Sequence, residues 1–551
     1  MLGVGRLLPA RRSDDLASGA TAQVSSAGPT DYSAPNFTHR ETLIILSGVM
    51  IGMFLAALDQ TIVATALPRI AGDLHGGEHI SWVVSGYLLT STASTPIYGK
   101  LSDLYGRKVM LQTALIIFLL TSILCGLAQS MPQLIAARAL QGLGGGGLLA
   151  MAHATIADVV APRERGRYQG YFGSMFATSS IIGPILGGLF ADHLTWRWVF
   201  WINLPIGLIG LALSAVALKK LKAKRLRHKI DYAGAVLLVS AVTCVLFVTT
   251  MGGNEYAWDS SMILSLMLAA GLLLAIFIWH ERRIDEPVLP PRLFQNAVFR
   301  IANVANLLSS ICMLGSIVFL PLYLELVHGL SASDSGLMLI PLTGATVFGA
   351  IGTGQVVARI GRYKIFPITG LTLNVLGSLL LAMLPPDASL YAVAIGMLVT
   401  GVGIGMVMPV IMVAVQNAVS SRDIGTATSS ISFFRSMGGA FGVALFGAVL
   451  IAGLDSLLAA VPGHEALGPT PGLALLHAGP DAISGTPALL RAAVTHAMSI
   501  AFRNMFLVAA GISMVALGFA LFLKELPLRS SRDSTLGEAG GALAGSASLA
   551  E

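Results

Sequence analysis

Charge is what this chain has least of. Only 11% of its 551 residues are Asp, Glu, Lys or Arg, against about 25% in a soluble domain. That excludes an ordinary water-soluble globule. Cysteine is scarce too: Cys125, Cys244 and Cys312 all fall inside apolar runs. So placed, they read as small buried hydrophobes, not as disulfides or metal ligands. No G-x-x-x-x-G-K-[ST] stretch is present, which removes ATP as a drive. No metal-ligand cluster and no nucleophile elbow is present, so a membrane enzyme is disfavoured and neither cofactor nor metal is expected. The net charge of +6 sits in short loops between apolar runs, which argues against nucleic acid as a partner. No cleaved leader is expected, because the first apolar run, from near Leu43, is too long.

What the chain has is apolar length: 55% of its residues are hydrophobic. A bilayer crossing needs ~20 helical residues. Fourteen runs of that kind are counted, at about 43–66, 80–98, 109–129, 133–157, 168–190, 198–218, 231–251, 261–279, 301–326, 335–357, 365–384, 390–414, 431–453 and 501–523. The loops test the count, since cytoplasmic loops should be basic. Alternate loops carry Lys100, Arg107, Lys108; Arg163, Arg165, Arg167; Lys219 to Lys229; Arg282, Arg283, Arg292, Arg300; Arg359, Arg362, Lys364; and Arg422. The intervening loops carry only Arg69, Arg197 and Arg491, beside acids such as Asp73, Glu78, Glu255, Asp259 and Asp387. An odd number of spans would break this alternation. Both ends of the chain are therefore expected in the cytoplasm.

The chain also repeats itself. GKLSDLYGRKV at 99–109 lines up with GQVVARIGRYK at 354–364, and GLGGGGLLAM at 142–151 with GVGIGMVMPV at 401–410. PRERG at 162–166 meets SRDIG at 421–425. Two parallel halves of six spans follow, enclosing a midplane site. The expected organisation is a disordered tail over 1–40, a first half over 41–218, two inserted spans over 231–279, a second half over 295–524 and a second disordered tail over 525–551. The second half contains a long outside loop, 454–500, whose end, Pro487 to Met498, is a candidate interfacial helix. Asn36-Phe37-Thr38 matches a glycosylation sequon but lies on the cytoplasmic side, so it is assigned no role.

The stretch GKLSDLYGRKVML at 99–111 is polar and charged between two apolar runs. With its glycines, acid and basic pair at set offsets, it resembles the loop 2–3 signature of the major facilitator superfamily. Four further stretches carry the same resemblance: LDQTIVATALP at 58–68, RALQG at 138–142, GPILGG at 183–188 and WRWVFWINLPIG at 196–207. Together they are similar to the drug:proton antiporters of that superfamily, in the group with fourteen helices. The resemblance implies an all-α membrane protein of fourteen transmembrane helices, two six-helix halves plus two central ones. It implies export of lipophilic, often cationic, compounds in exchange for protons at the cell membrane, by a monomer.

Candidate functional residues follow from the residues and the resemblance together. Asp59 is an acid inside an apolar run, where a charge costs at least ~2.5–3.5 kcal/mol at mid-bilayer. It is either turned to the protein interior and titratable, or close enough to a helix end to be solvated. Arg138 is the one basic residue well inside a span of the first half. It lies ~8 Å, and Asp59 ~10 Å, below the outer ends of their spans, so the two can share a depth. Its repeat position is Met397, so the charge serves function, or else hydrogen-bonds broken backbone. In the family the acid matching Asp59 takes part in coupling. Gly99, Asp103, Gly106, Arg107 and Lys108 resemble the family's cytoplasmic latch, which Arg163, Glu164 and Arg165 extend. The second copy has Ala358 in place of Asp103, so the latch is one-sided. Gly183, Pro184, Gly187 and Gly188 form the stretch that marks exporters in the family. Physically they also read as a kink and a small-xxx-small packing face. The glycine run 142–147 reads as packing. Glu325, ending the ninth run, is a coupling candidate or an interfacial acid. His153 and Arg435 are similar intramembrane cases, His153 mainly structural. Asn203, Tyr87 and Trp82 are candidate cavity residues.

Two rivals remain open. One is an exporter or importer of a single endogenous metabolite on the same fold. The other is a non-transporting receptor or scaffold, against which Asp59 and Arg138 argue, because a scaffold does not need them.

Overall fold

A bilayer offers backbone groups no water, so spanning chains close their hydrogen bonds within helices. The computed structural model describes residues 38–528 apart from 75–79, 161, 221–230, 254–255, 285–286, 421–422 and 460–487. Both expected tails, the sequon and most of the expected 454–500 loop lie outside the described residues.

The described elements are helical. The long helices are α1 His39–Asp73, α2 Ile80–Tyr105, α3 Arg107–Leu127, α4 Met131–Val159, α5 Pro162–His193, α6 Asn203–Ala217, α7 Tyr232–Met251 and α8 Ser261–Glu281. The remainder are α9 Ala297–His328, α10 Ile340–Ile360, α11 Ile365–Met383, α12 Leu390–Ala418, α13 Ile424–Leu458 and α14 Ala488–Leu521. Short polar signals start several of them. Thr38 and Glu41 form a capping box on α1, and Ser260, Asn296 and Ser389 cap α8, α9 and α12.

Twelve helices among the described residues are long and apolar enough to cross a membrane. By that measure the expected count of fourteen is not reached. The two not among the twelve are α2 and α5. Both are long, 26 and 32 residues, but dilute in apolar character. α2 turns the buried side chains Ser91, Thr92, Ser94 and Thr95 into the bundle, and α5 opens on Arg163, Glu164 and Arg167. A second correction concerns Pro487 to Met498. Most of that segment is no separate interfacial helix but the start of α14, and Val494, Ala497 and Met498 are buried in the core of the second half.

The repeat is visible in atomic detail. Gly106 and Gly361, at matching positions of the two hairpins, both have positive φ, 89° and 73°. An L side chain rarely adopts that conformation. The glycines of α4 and α12 pack equivalently as well. A Cβ on Gly142 would strike the Tyr87 carbonyl, and one on Gly401 the Leu342 carbonyl. Gly146 and Gly405 stand likewise against the carbonyls of Ser91 and Thr346. On the other face, Gly144 lies against Ala114 and Phe118, and Gly403 against Gly370 and Asn374. The glycine run therefore brings helices to backbone contact on two sides.

Separate hydrophobic cores serve the first and second halves. The inserted helices α7 and α8 cover the seam between the halves. Their Leu238, Val242, Leu246 and Phe277 pack with Ala93 of α2 and Phe433 of α13.

Candidate functional site

Asp59 lies within the 35-residue α1 and has no solvent exposure. Arg138 of α4, at 1% exposure, forms an ion pair with its Oδ2 at 2.5 Å. The solvated helix end is thereby excluded for Asp59. A buried pair repays its desolvation only when further hydrogen bonds engage its donors and acceptors, and several do here, although Asn203 Oδ1 and the Tyr87 hydroxyl beside it find no partner among the described residues. Asp59 Oδ1 accepts from Gln141 Nε2 at 3.1 Å and from Asn203 Nδ2 at 3.0 Å. Arg138 donates from Nε to the Val83 carbonyl at 3.2 Å and from Nη1 to Gln141 Oε1 at 2.8 Å. Its guanidinium stacks 4.3 Å from the centre of the Tyr87 ring. Ser122 completes the layer: its hydroxyl accepts from Gln141 and Asn203 and donates to the Phe200 carbonyl at 2.9 Å.

The layer thus joins α1, α2, α3, α4 and the start of α6 around one carboxylate. Gln141 follows Arg138 by three residues, so both face Asp59 from one side of α4. Trp198–Trp201 is a short helical turn that leads to Asn203 at the head of α6. Gln141 and Ser122 were missed in the sequence. Gln141 left a signal, as an amide inside an apolar helix three residues after an arginine. Ser122 left none, because a lone serine in an apolar run is ordinary. Chemically the layer holds a negative charge in place by a cation and two amides, so a proton arriving on Asp59 would cancel the charge that organises it.

The 99–111 hairpin meets the second half at the start of α13. Asp103 accepts from the backbone N–H groups of Gly425 and Thr426 at 3.1 and 2.9 Å and from the Thr426 hydroxyl at 3.1 Å. A carboxylate there satisfies free N–H groups and the positive end of the helix dipole. Gly99 passes Ser429 so closely that a Cβ would overlap the serine hydroxyl. Arg107 bridges Asp103 at 2.7 Å and Asp158 at 2.5 Å and lies against Gly425. Lys108 departs from the expected latch. It donates to the Ala215 carbonyl at 2.9 Å, at the end of α6, and so serves the first half alone. Asp158 was not singled out from the sequence. Arg165 donates to the carbonyls of Ala157 and Val160, on either side of Asp158's turn.

Gly183 and Gly187 pack against α1. A Cβ on Gly183 would strike Thr61, and one on Gly187 would strike Thr65 and lie 2.6 Å from the Ile62 carbonyl. Nothing stands within 4 Å of a Cβ on Gly188, so that glycine is not a packing residue. The Pro184 side chain lies outside the described ones. Gly187→Ala is expected to lower the melting temperature by several degrees, since a backbone carbonyl cannot retreat as a flexible side chain can and overpacking costs ~1–3 kcal/mol. Gly188→Ala should leave it unchanged. Thermal unfolding in detergent compares them.

Glu325, three residues before the end of α9, accepts from Ser335 at 2.7 Å. It takes no part in the Asp59 layer.

Comparison with known proteins follows this geometry. The family model described as Major Facilitator Superfamily matches residues 49–443. Among similar sequences, the multidrug transporter protein MdtP of Bacillus subtilis is 37% identical over 511 residues, covering 89% of this chain and 94% of MdtP. Multidrug resistance protein 3 of Bacillus subtilis is 36% identical over 408 residues, 74% of this chain and 79% of that one. An uncharacterized MFS-type transporter of Mycobacterium tuberculosis is 37% identical over 517 residues, 94% of this chain and 74% of its own. Among solved structures, the human organic anion transporter MFSD10 superposes with a TM-score of 0.60 at 15% identity, over 87% of this chain and 99% of its own.

Proposed function

The chain belongs to the major facilitator superfamily and is a multi-pass membrane transporter rather than an enzyme, and on that premise we propose that it exports lipophilic compounds across the cell membrane in exchange for protons. The observation that carries this reading is the buried Asp59–Arg138 pair. It is a titratable carboxylate inside one half, held by groups that protonation would release. Homologues named as multidrug transporters support the export direction. The contacts at Gly99, Asp103 and Arg107 support alternating access, since they bind the halves together at the hairpin end of a two-body fold. The protein works as a monomer on a small lipophilic substrate, with α2 and α5 as the two further crossings. Substrate-dependent proton flux in liposomes tests the proposal. Substrate moving with no proton signal at any gradient would leave uniport, or exchange of one endogenous metabolite, as the reading.

Orientation belongs to the same proposal. The 99–111 hairpin and both tails face the cytoplasm, and Ser260, at the head of α8, faces outside. A cysteine at Ser260 is expected to react with an impermeant maleimide added to whole cells, and one at Ala223 only after permeabilisation. The reverse pattern would invert the topology.

A further inference from the structure

A second polar layer lies where the halves meet, apart from the Asp59 layer. Gln416 of α12 donates from Nε2 to the His153 carbonyl of α4 at 3.3 Å and to the Thr428 hydroxyl of α13 at 3.2 Å. His153 Nδ1 pairs with Gln169 Oε1 of α5 at 3.1 Å. All three side chains are at least 95% buried. Three of their polar atoms have no partner among the described residues: His153 Nε2, Gln169 Nε2 and Gln416 Oε1. Buried polar atoms are usually paired, so three orphans in one layer require a reason.

Arg435 stands beside this layer. It follows Thr428 by seven residues on α13, two turns at 3.6 residues per turn, so the two share a face about 10 Å apart. It lies eleven residues into α13, roughly 16 Å from the hairpin end and so near mid-bilayer depth. Yet it is partly exposed while the residues of α13 before Phe434 are buried. A partly exposed side chain at that depth, whose charge reaches His153 of the other half, borders an interior space. No described carboxylate forms an ion pair with it. Asp59 is taken by Arg138, and Glu325, which accepts from the neutral Ser335 hydroxyl, lies near the far end of α9. The interior thus carries a guanidinium with five donors and no described ion-pair partner, two turns along α13 from Thr428 of that layer. Half-buried Phe434 and Met437 flank it.

Resting on the export reading above, we infer that the transported compounds include amphipathic anions, whose carboxylate, sulfonate or phenolate seats on Arg435 while the apolar body lies along α13. This contrasts with the cationic substrates expected from the sequence. A cation would meet Arg435 and find no described carboxylate paired with it there, whereas an anion supplies the missing partner.

The test uses two naphthyl probes of matched size, a sulfonate and a trimethylammonium, with the full chain in detergent and in liposomes. The sulfonate is expected to bind the native protein at least tenfold more tightly than the ammonium. Arg435→Gln should abolish that preference, and Arg435→Lys should keep part of it. Arg435→Met should melt at the native temperature or above, because it removes an unpaired charge without leaving a partner behind. Equal binding of both probes, tighter binding of the ammonium, a preference that survives Arg435→Gln, or an Arg435→Met protein that melts several degrees lower would overturn the inference. Proton flux driven by the ammonium but not the sulfonate would do the same while leaving the export reading intact. Flux with neither probe would count against both.

Discussion

Asp59→Asn should abolish proton-driven accumulation while leaving downhill movement of substrate. Asn keeps the shape of the carboxylate and the contacts of one oxygen with Gln141 and Asn203, but it carries no titratable charge. It also leaves Arg138 as a lone cation at 1% exposure. Breaking a buried pair from one side costs about 3–5 kcal/mol, so the single variant should melt well below the native protein. The repeat supplies the remedy. Met397 occupies the position of Arg138 in the second half and is fully buried there, so the fold accepts an apolar side chain at that site. The double variant Asp59→Asn with Arg138→Met is therefore expected to regain most of the lost stability and none of the coupling. Arg138→Ala alone should impair coupling as well, because it removes the cation that holds the Asp59 carboxylate in the layer. The measurement is substrate concentration by liposomes with and without a pH gradient. A double variant that still concentrates substrate on that gradient would move the switch elsewhere, to Glu325 first.

Gly99→Val should prevent closure at the hairpin end. Its Cβ would overlap the Ser429 hydroxyl and lie 2.9 Å from the Gly425 carbonyl, a backbone atom at the head of α13 that cannot yield as a side chain can. The closed arrangement at the hairpin would become inaccessible, and transport would stop although the Asp59 layer is untouched. Asp103→Asn is the graded form of the same experiment. It removes a charge from a helix N-terminus, worth ~0.3–1 kcal/mol exposed and up to ~2 when partly buried. That corresponds to a population shift of roughly two- to thirtyfold, so this variant should slow transport rather than end it. Spin labels at Tyr105 and Arg300, in a background freed of Cys125, Cys244 and Cys312, report the distance between the halves. Gly99→Val should lengthen it for nearly the whole population and Asp103→Asn for a minority. An unchanged distance together with native transport in Gly99→Val would end the idea of a latch.

Much of this was legible in the chain itself, for a physical reason. A bilayer demands apolar runs of fixed length and leaves charge only where it is needed, so span positions, the basic alternation and isolated polar residues stand out. Asp59 and Arg138 were conspicuous because an ion in an apolar run is costly, and equal depth could be estimated from helical rise. The repeat was legible because Gly106 and Gly361 answer the same backbone demand, a positive φ that excludes most side chains. The hairpin signature could be read for the same reason, as glycines and charges at offsets an apolar span would not contain.

Other features depend on residues distant in sequence meeting in space, and only the tertiary structure decided them. Ser122 and Asn203 reach Asp59 from α3 and α6, and no local pattern marks a serine as the residue that joins two amides. Lys108 was expected in the latch because the hairpin resembles the family's. One position further along a helix turns a side chain by about 100°, and that turn sends it to Ala215 instead. The sequence counted α2 and α5 among fourteen spans, but their polar content keeps them out of the twelve described helices apolar enough to cross, and only the packing shows that Ser91, Thr92, Ser94 and Thr95 of α2 are buried. Whether Arg435 had a partner could not be read from α13, because the lack of an ion pair to it among the described residues is a property of every helix that faces it. The sequence by itself determined which residues the membrane would tolerate and where along each helix they stand. The packing of the two halves decided which of those residues satisfy one another and which do not, because pairing depends on facing surfaces rather than on neighbours in the chain.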